Sequence, residues 1–429
     1  MSKEENRKNF SKYVSQNILG MIGFSCYVLA DSYFISIAKG ADGLTALNLV
    51  MPLYSIIFSI GEMIGVGSAI RYAISKIKKD ADADDYFWNA LIWCILSSML
   101  FVFAGIFFSA DIMRVLGADE HIVAVGNNYT KIFMCFAPMF MCNYVTNAFV
   151  RNDGAPGIAM SATLFSSLFN IVFDYILMFP MNLGMEGAAL ATALSPIIGM
   201  GICSIHFFSK KSSVRLVVCK PSVRKLVAGC QLGVSAFVGE MSSAVITLAF
   251  NFVILKLAGN VGVAAYGVVA NIAIVTTAVF NGVAQGSQPL ISSCFGRGDK
   301  DGCTQLKRMG YTTAFVLAAV MYSILFIFAG QFVAVFNSEG SEMLRLYATE
   351  GVKLYFIGIF FAGINIVGGG AFSATEDAFK AAVVSVARGF VLILGAVFVM
   401  SALFGMTGVW LAYAVAEGIT TFIMLVMVL

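Results

Sequence analysis

The amino-acid sequence predicts an all-α polytopic membrane protein: twelve transmembrane helices in two six-helix lobes, related by a pseudo-two-fold axis along the membrane normal. Three observations carry this. Of 429 residues, 59% are hydrophobic and only 12% are charged, too little charge to coat a soluble surface of this size. Apolar stretches of about 20 residues recur along the chain, each able to cross a hydrocarbon layer of roughly 30 Å as a helix. Segments of the first half also return, in the same order, in the second.

The expected spans are 13–38, 44–70, 87–109, 122–149, 158–181, 186–208, 226–255, 263–292, 310–334, 343–371, 380–402 and 407–429. Their short connections leave no room for a soluble domain. Span one follows a basic start (Lys3, Arg7, Lys8, Lys12), but it outruns the apolar core of a signal peptide and lacks a cleavage site, so it reads as a retained helix. It contains no proline, and Gly20 and Gly23 are its only flexible points before Asp31. Span two carries Glu62 in "SIGEMIGVGSAI", where Gly61, Gly65 and Gly67 mark close helix contact. Glu62 either lines a solute path or caps a polar seam. Lys131 and Lys353, early in spans four and ten, read as snorkelling side chains, the second supported by Glu350 three residues before it.

Span five is "SLFNIVFDYILMF" at its centre, with Asn170 and Asp174 one turn apart on one face, and span six places Thr192 in "EGAALATAL", whose glycine and alanines read as packing. The basic stretch "SKKSSVRLVVCKPSVRK" links the halves, giving an amino lobe 1–208, a linker 209–225 and a carboxyl lobe 226–429. Arg388 in span eleven, roughly 12 Å from the inner surface, and Glu417 in span twelve, roughly 15 Å from the outer one, fall near one depth, which suits a structural ion pair over substrate contact because an unpaired buried Arg is costly.

Orientation follows from Lys and Arg. With the N-terminus inside, 20 of the 27 lie on inner segments, Arg151 and Lys380 among them, against four on outer loops (Lys39, Arg114, Lys256, Arg345). Both termini should be cytoplasmic. The net charge of +3 is then a topology signal and implies no nucleic-acid partner. Nine cysteines without a CxxC pair read as small core residues, and His121 and His206 lie too far apart for a nitrogen and sulfur metal site. No phosphate-cradling GxxxxGK[ST] occurs, so the chain is not expected to hydrolyse ATP or to be an enzyme, and no cofactor is expected.

"LGMEGAALATALS" (183–195) and "FGMTGVWLAYAVA" (404–416) share six of thirteen positions at a shift of 221 residues. At a shift of 222, Lys131 falls on Lys353 and Asn143 on Asn365; at 219, Gly67-Ser68 falls on Gly286-Ser287. Two matched lobes rocking about a central cavity give alternating access, so the duplication points to a transporter.

A charged Asp at the bilayer centre costs about 2.5–3.5 kcal/mol on insertion scales, so Asp174 is expected to face a wet cavity or a partner. Asn170 and Asp174 lie about 18 and 24 Å from the inner start of span five, Asp31 about 27 Å along span one, and Thr192 about 9 Å below the outer surface. All four can share one level. Two carboxylates, an amide oxygen and a hydroxyl could hold Na⁺, or the carboxylates could share one proton, since two like charges in a buried site do not both ionise cheaply. The bland alternative is an Asn170 that only bonds a neighbouring helix and an Asp174 facing static water. Span eleven offers no equivalent carboxylate, so coupling should be asymmetric.

"NIVFDY" followed by "GMEGAALATALS", with "ADSYF" late in span one, resembles the multidrug and toxic compound extrusion (MATE) transporters. "GVSAFVGEMSSAVITLAFN" (233–251), "VAQGSQPLISSCFG" (283–296) and "GMTGVWLAYAVAEG" (405–418) are similar to its MepA-type branch, and the resemblance runs over essentially the whole chain. It implies export of varied, often cationic compounds against inward Na⁺ or H⁺ movement, in a bacterial plasma membrane. The chain is expected to be monomeric. The resemblance also implies that Asp31, Asn170, Asp174 and Thr192 are the amino-lobe cation site, and that Glu240 belongs to the carboxyl-lobe cavity. Glu240 or Glu62 would face a cationic drug; 22 methionines and 38 phenylalanines suit an adaptable pocket, as they suit any membrane protein. Two other classes remain: a lipid-linked precursor flippase, which would want several cavity cations where Arg388 reads as the sole deep one, and a receptor or scaffold indifferent to loss of Asp31 or Asp174.

Overall fold

A computed structural model of the chain describes residues 3–336 and 341–428, so Leu429, the end of the last expected span, lies outside the described residues. Among the described residues every regular element is helical. Helix α1 is Lys3–Gly40, α2 Asp42–Lys78, α3 Asp85–Val115, α5 Pro156–Met178 and α6 Gly184–Phe207; α4 is the bent pair Glu120–Cys135 and Ala137–Asn152. The helical stretch Val223–Gly296 is broken at Gly259 into α7 (223–258) and α8 (260–296). Lys300–Ile327 is α9 and Glu342–Ala374 is α10, while Ala378–Met427 is broken at Gly405 into α11 (378–404) and α12 (406–427).

Local chemistry explains where these helices depart from the expected spans. Helix α4 is not one straight span: it bends by 46° at Phe136, where Pro138 removes a donor from the following turn. Helix α9 begins ten residues before its apolar run because the Asp299 side chain accepts from Gly302 N at 2.8 Å and caps it. In the same way Ser222 caps α7, which starts at Val223 rather than 226. Helix α1 is continuous past Gly20 and Gly23 and leaves helical geometry only at Gly40.

The repeat is written into the backbone. Left-handed residues recur in pairs at Gly40 and Gly259, Lys79 and Gly298, Gly154 and Glu376, and Gly184 and Gly405, separated by 219, 219, 222 and 221 residues. These are the shifts at which the sequence repeats itself. Gly40 and Gly259 adopt φ near +60°, which glycine takes without steric cost, and each reverses the chain at the face opposite the linker.

The lobes touch at the linker face. A Cβ on Gly67 of α2 would collide with the Gly229 carbonyl of α7, and one on Gly233 with the Met63 carbonyl. Gly282 and Gly286 of α8 rest against α1, where added Cβ atoms would stand 2.6 Å from Ile18 Cα and 2.8 Å from Val14 Cα. Phe10 and Val14 of α1 are buried in the core of the carboxyl lobe. Arg71 on α2 pairs with Glu376 beyond α10 and donates through Nε to the Ala228 carbonyl at 3.1 Å. Toward the far face Tyr33 and Ile37 of α1 and Leu255 of α7 are exposed, and a cavity lined from both lobes lies between them, with Tyr27 and Glu62 on one side and Glu240 and Gln285 on the other.

The linker lies on the amino lobe. Buried Asp153 accepts from Tyr72 at 3.0 Å, Ser213 N at 2.9 Å and Ser212 Oγ at 3.2 Å, and His206 Nε2 stands 2.8 Å from it. Further along, Arg215 N donates to Asp84 at 3.2 Å and Ser222 N to Asn89 at 2.6 Å.

Candidate functional site

Three helices of the amino lobe bring Asp31, Asn170, Asp174 and Thr192 into one buried group, with exposures of 6%, 0%, 0% and 1%. Helix α5 supplies Asn170 and Asp174 from one face, and α6 lays Thr192 alongside because its small residues allow close approach: a Cβ on Gly187 would stand 2.8 Å from the Leu177 carbonyl carbon.

The Asn170 amide is oriented by its neighbours: its nitrogen donates to Asp174 Oδ2 at 3.1 Å and its oxygen accepts from Thr192 N and Oγ1 at 3.3 and 3.2 Å. Asn170 therefore orients Asp174, and the amide oxygen expected as a ligand belongs to Thr192 in this state. Asp31 Oδ1 and Asp174 Oδ1 are buried with no hydrogen-bond donor among the described residues. Two such oxygens from facing helices suit a small hard cation or a shared proton.

Sequence reading missed the phenols around this group. Tyr27 lies one turn before Asp31, Tyr54 on α2 is hydrogen-bonded to buried Tyr129 on α4, and all three rings lie near both aspartates. The four-residue spacing of Tyr27 and Asp31 was a usable signal, whereas Tyr54 and Tyr129 enter only through packing.

A second group lies between the lobes. Glu62 of α2 and Glu240 of α7 line the same central cavity. Gln285 of α8 donates through Nε2 to Glu62 Oε1 at 3.1 Å and accepts from Arg151 Nη1 at 2.8 Å. Arg151 corrects the sequence reading: it is not a surface charge of the linker face but 4% exposed, and it lines the cavity from the end of α4. Arg388 is thus not the sole deep cation.

The third group is in the carboxyl lobe. Arg388 bonds Glu417 through Nη2 at 2.7 Å and Nε at 3.1 Å, Asn365 donates to the same carboxylate at 2.7 Å, and Thr421 donates to Asn365 at 3.0 Å. Arg388 lies on one turn of π-helix, Ala387–Val391, within α11. Lys353 stands 5.2 Å over the Phe326 ring, and Glu350 accepts from Thr407 at 2.7 Å.

The MatE family model matches residues 17–176 and again 236–400. The chain is 27% identical over 414 residues to the multidrug export protein MepA of Staphylococcus aureus (strain MRSA252), covering 94% of this chain and 89% of that one. Identity to the MepA of Staphylococcus saprophyticus is 26% over 409 residues, with the same coverage. Among solved structures, an outward-facing multidrug resistance MATE family transporter of the MOP superfamily has the same fold, with TM-score 0.92 at 20% identity over 98% of this chain and 95% of that one. A MOP superfamily transporter from Pyrococcus furiosus, described as having a binding pocket of reverse polarity, matches with TM-score 0.90, 20% identity and the same coverage.

Proposed function

The chain belongs to the MatE family, and from that premise we propose that it is a cation-coupled antiporter exporting varied, often cationic organic compounds by alternating access. The names of the MepA relatives support the cargo class. The observation that carries the coupling is the buried amino-lobe group, in which Asp31 and Asp174 each keep a buried oxygen without a donor among the described residues.

With the basic linker face cytoplasmic, both termini lie inside and the cleft opens outward. The chain works as a monomer in the plasma membrane of a bacterium. In this outward-facing state Na⁺ or H⁺ enters the group of Asp31, Asn170, Asp174 and Thr192. Na⁺ would supply positive charge between carboxylate oxygens, drawing the Asn170 oxygen toward Asp174; a proton would bridge the carboxylates and leave the amide nitrogen facing Asp174. Either way the cation must bind the two states of the lobes differently for its gradient to drive export.

Cargo occupies the cavity between the lobes, which Glu62, Glu240 and Arg151 line and where Arg388 is already neutralised by Glu417. That balance favours a positively charged solute. A flippase for a lipid-linked precursor is the second reading, and buried Arg151 is the observation in its favour.

Linkage tests the coupling in purified protein. Ethidium binding, followed by fluorescence anisotropy, is titrated against Na⁺ at fixed pH and against pH without Na⁺. One cation should weaken ethidium binding in the wild type, and Asp174→Asn should remove that dependence. Equal cation dependence in the variant would contradict the assignment.

A further inference from the structure

We infer that Gln285 is an internal competitor for cargo: in the state described here its amide occupies the Glu62 carboxylate, and its withdrawal with the carboxyl lobe frees that carboxylate for a cation. The inference rests on the exporter reading above and deepens it.

The geometry ties Gln285 to the closed linker face. It lies on α8 between Gly282 and Gly286, whose backbones rest on Ile18 and Val14 of α1. The side chain therefore reaches the amino lobe only while those helices touch. Once there, it is held in one sense, since its oxygen must face the Arg151 guanidinium and its nitrogen the Glu62 carboxylate, at 2.8 and 3.1 Å. Arg151 is 4% exposed, has a buried Nε without an acceptor among the described residues, and acts as the fixed point that aims the amide. Glu62 itself is 8% exposed.

Opening the linker face moves α8 away with its lobe. Glu62 and Arg151, both on the amino lobe, then lose the amide between them and face a cavity open to the cytoplasm. A cationic solute entering from that side meets a carboxylate no longer held by the Gln285 amide. Closing the linker face returns the amide to Glu62 and weakens the hold on the solute as the cleft opens outward. Alternating access needs this difference in cargo affinity between states, and a ligand binding both equally would shift nothing.

The test measures ethidium affinity in purified full-length protein and export from the same preparations in proteoliposomes. Gln285→Ala, and Gln285→Asn, whose shorter arm keeps the amide but not the reach, should each bind ethidium about tenfold tighter, the scale of a lost hydrogen bond to a charged group. Both should export it more slowly, with kcat and KM falling together. In a Glu62→Gln background the gain in affinity should vanish. Unchanged or weaker binding in both Gln285 variants, or the same gain without the Glu62 carboxylate, overturns the inference while leaving the exporter reading intact. A wild type that neither binds nor exports ethidium overturns the exporter reading and the inference with it.

Discussion

Glu417→Ala should be among the costliest single substitutions. It strips Arg388 of its carboxylate and leaves the Asn365 amide without its 2.7 Å acceptor. Breaking a buried pair from one side costs about 3–5 kcal/mol, so the thermal unfolding midpoint should fall clearly, and Arg388→Met with Glu417→Leu should recover most of the loss. Depth arithmetic made this pair legible in the sequence, and it likewise brought Asp31, Asn170, Asp174 and Thr192 to one level, because helical rise converts residue number directly into distance. Side-chain direction was not legible. Arg151 is the penultimate residue of α4, and only the fold shows that its guanidinium runs inward to Gln285 rather than outward to water. Which end of the Asn170 amide faces Asp174 depends on the Thr192 backbone of another helix.

At the scale of helices, glycines decide how closely the lobes meet. Gly233→Leu would drive a side chain into the Met63 carbonyl, so α2 and α7 should separate at the linker face. Cysteines introduced along α8 near Gln285 should then react faster with a membrane-impermeant thiol reagent applied from the linker side, judged against the same protein with Gly233 intact. Gly20→Ala makes the opposite point: its Cβ would lie 3.7 Å from Met160 Cα, ordinary contact, and α1 is already helical there. Export should stay within about twofold of wild type, since Ala is the better helix former by about 1 kcal/mol. A large loss would show that α1 bends at Gly20 during the cycle. Hydropathy found the spans, but it did not find the bend of α4 or the early start of α9, which come from Pro138 and the Asp299 cap rather than from apolar content.

The whole molecule is two lobes, each packed about a main core and closed on the other at the linker face. The repeat could be read from shared residues such as Gly184 and Gly405, and the backbone carries it further than side chains do: Lys79 answers Gly298 and Glu376 answers Gly154, positions where residue identity has diverged but chain direction has not. Chemistry has diverged more. Where the amino lobe keeps carboxylate oxygens without donors, the carboxyl lobe neutralises Glu417 with Arg388, so an imposed cation gradient should act through the amino lobe alone. The most direct test is ethidium accumulation in inside-out vesicles under imposed Na⁺ and H⁺ gradients, applied separately, for wild type, Asp31→Asn and Asp174→Asn. One gradient should drive accumulation in the wild type, and either substitution should abolish it. Accumulation that proceeds equally in the substituted proteins, or that needs no gradient in any of them, would contradict the assignment of coupling to Asp31 and Asp174.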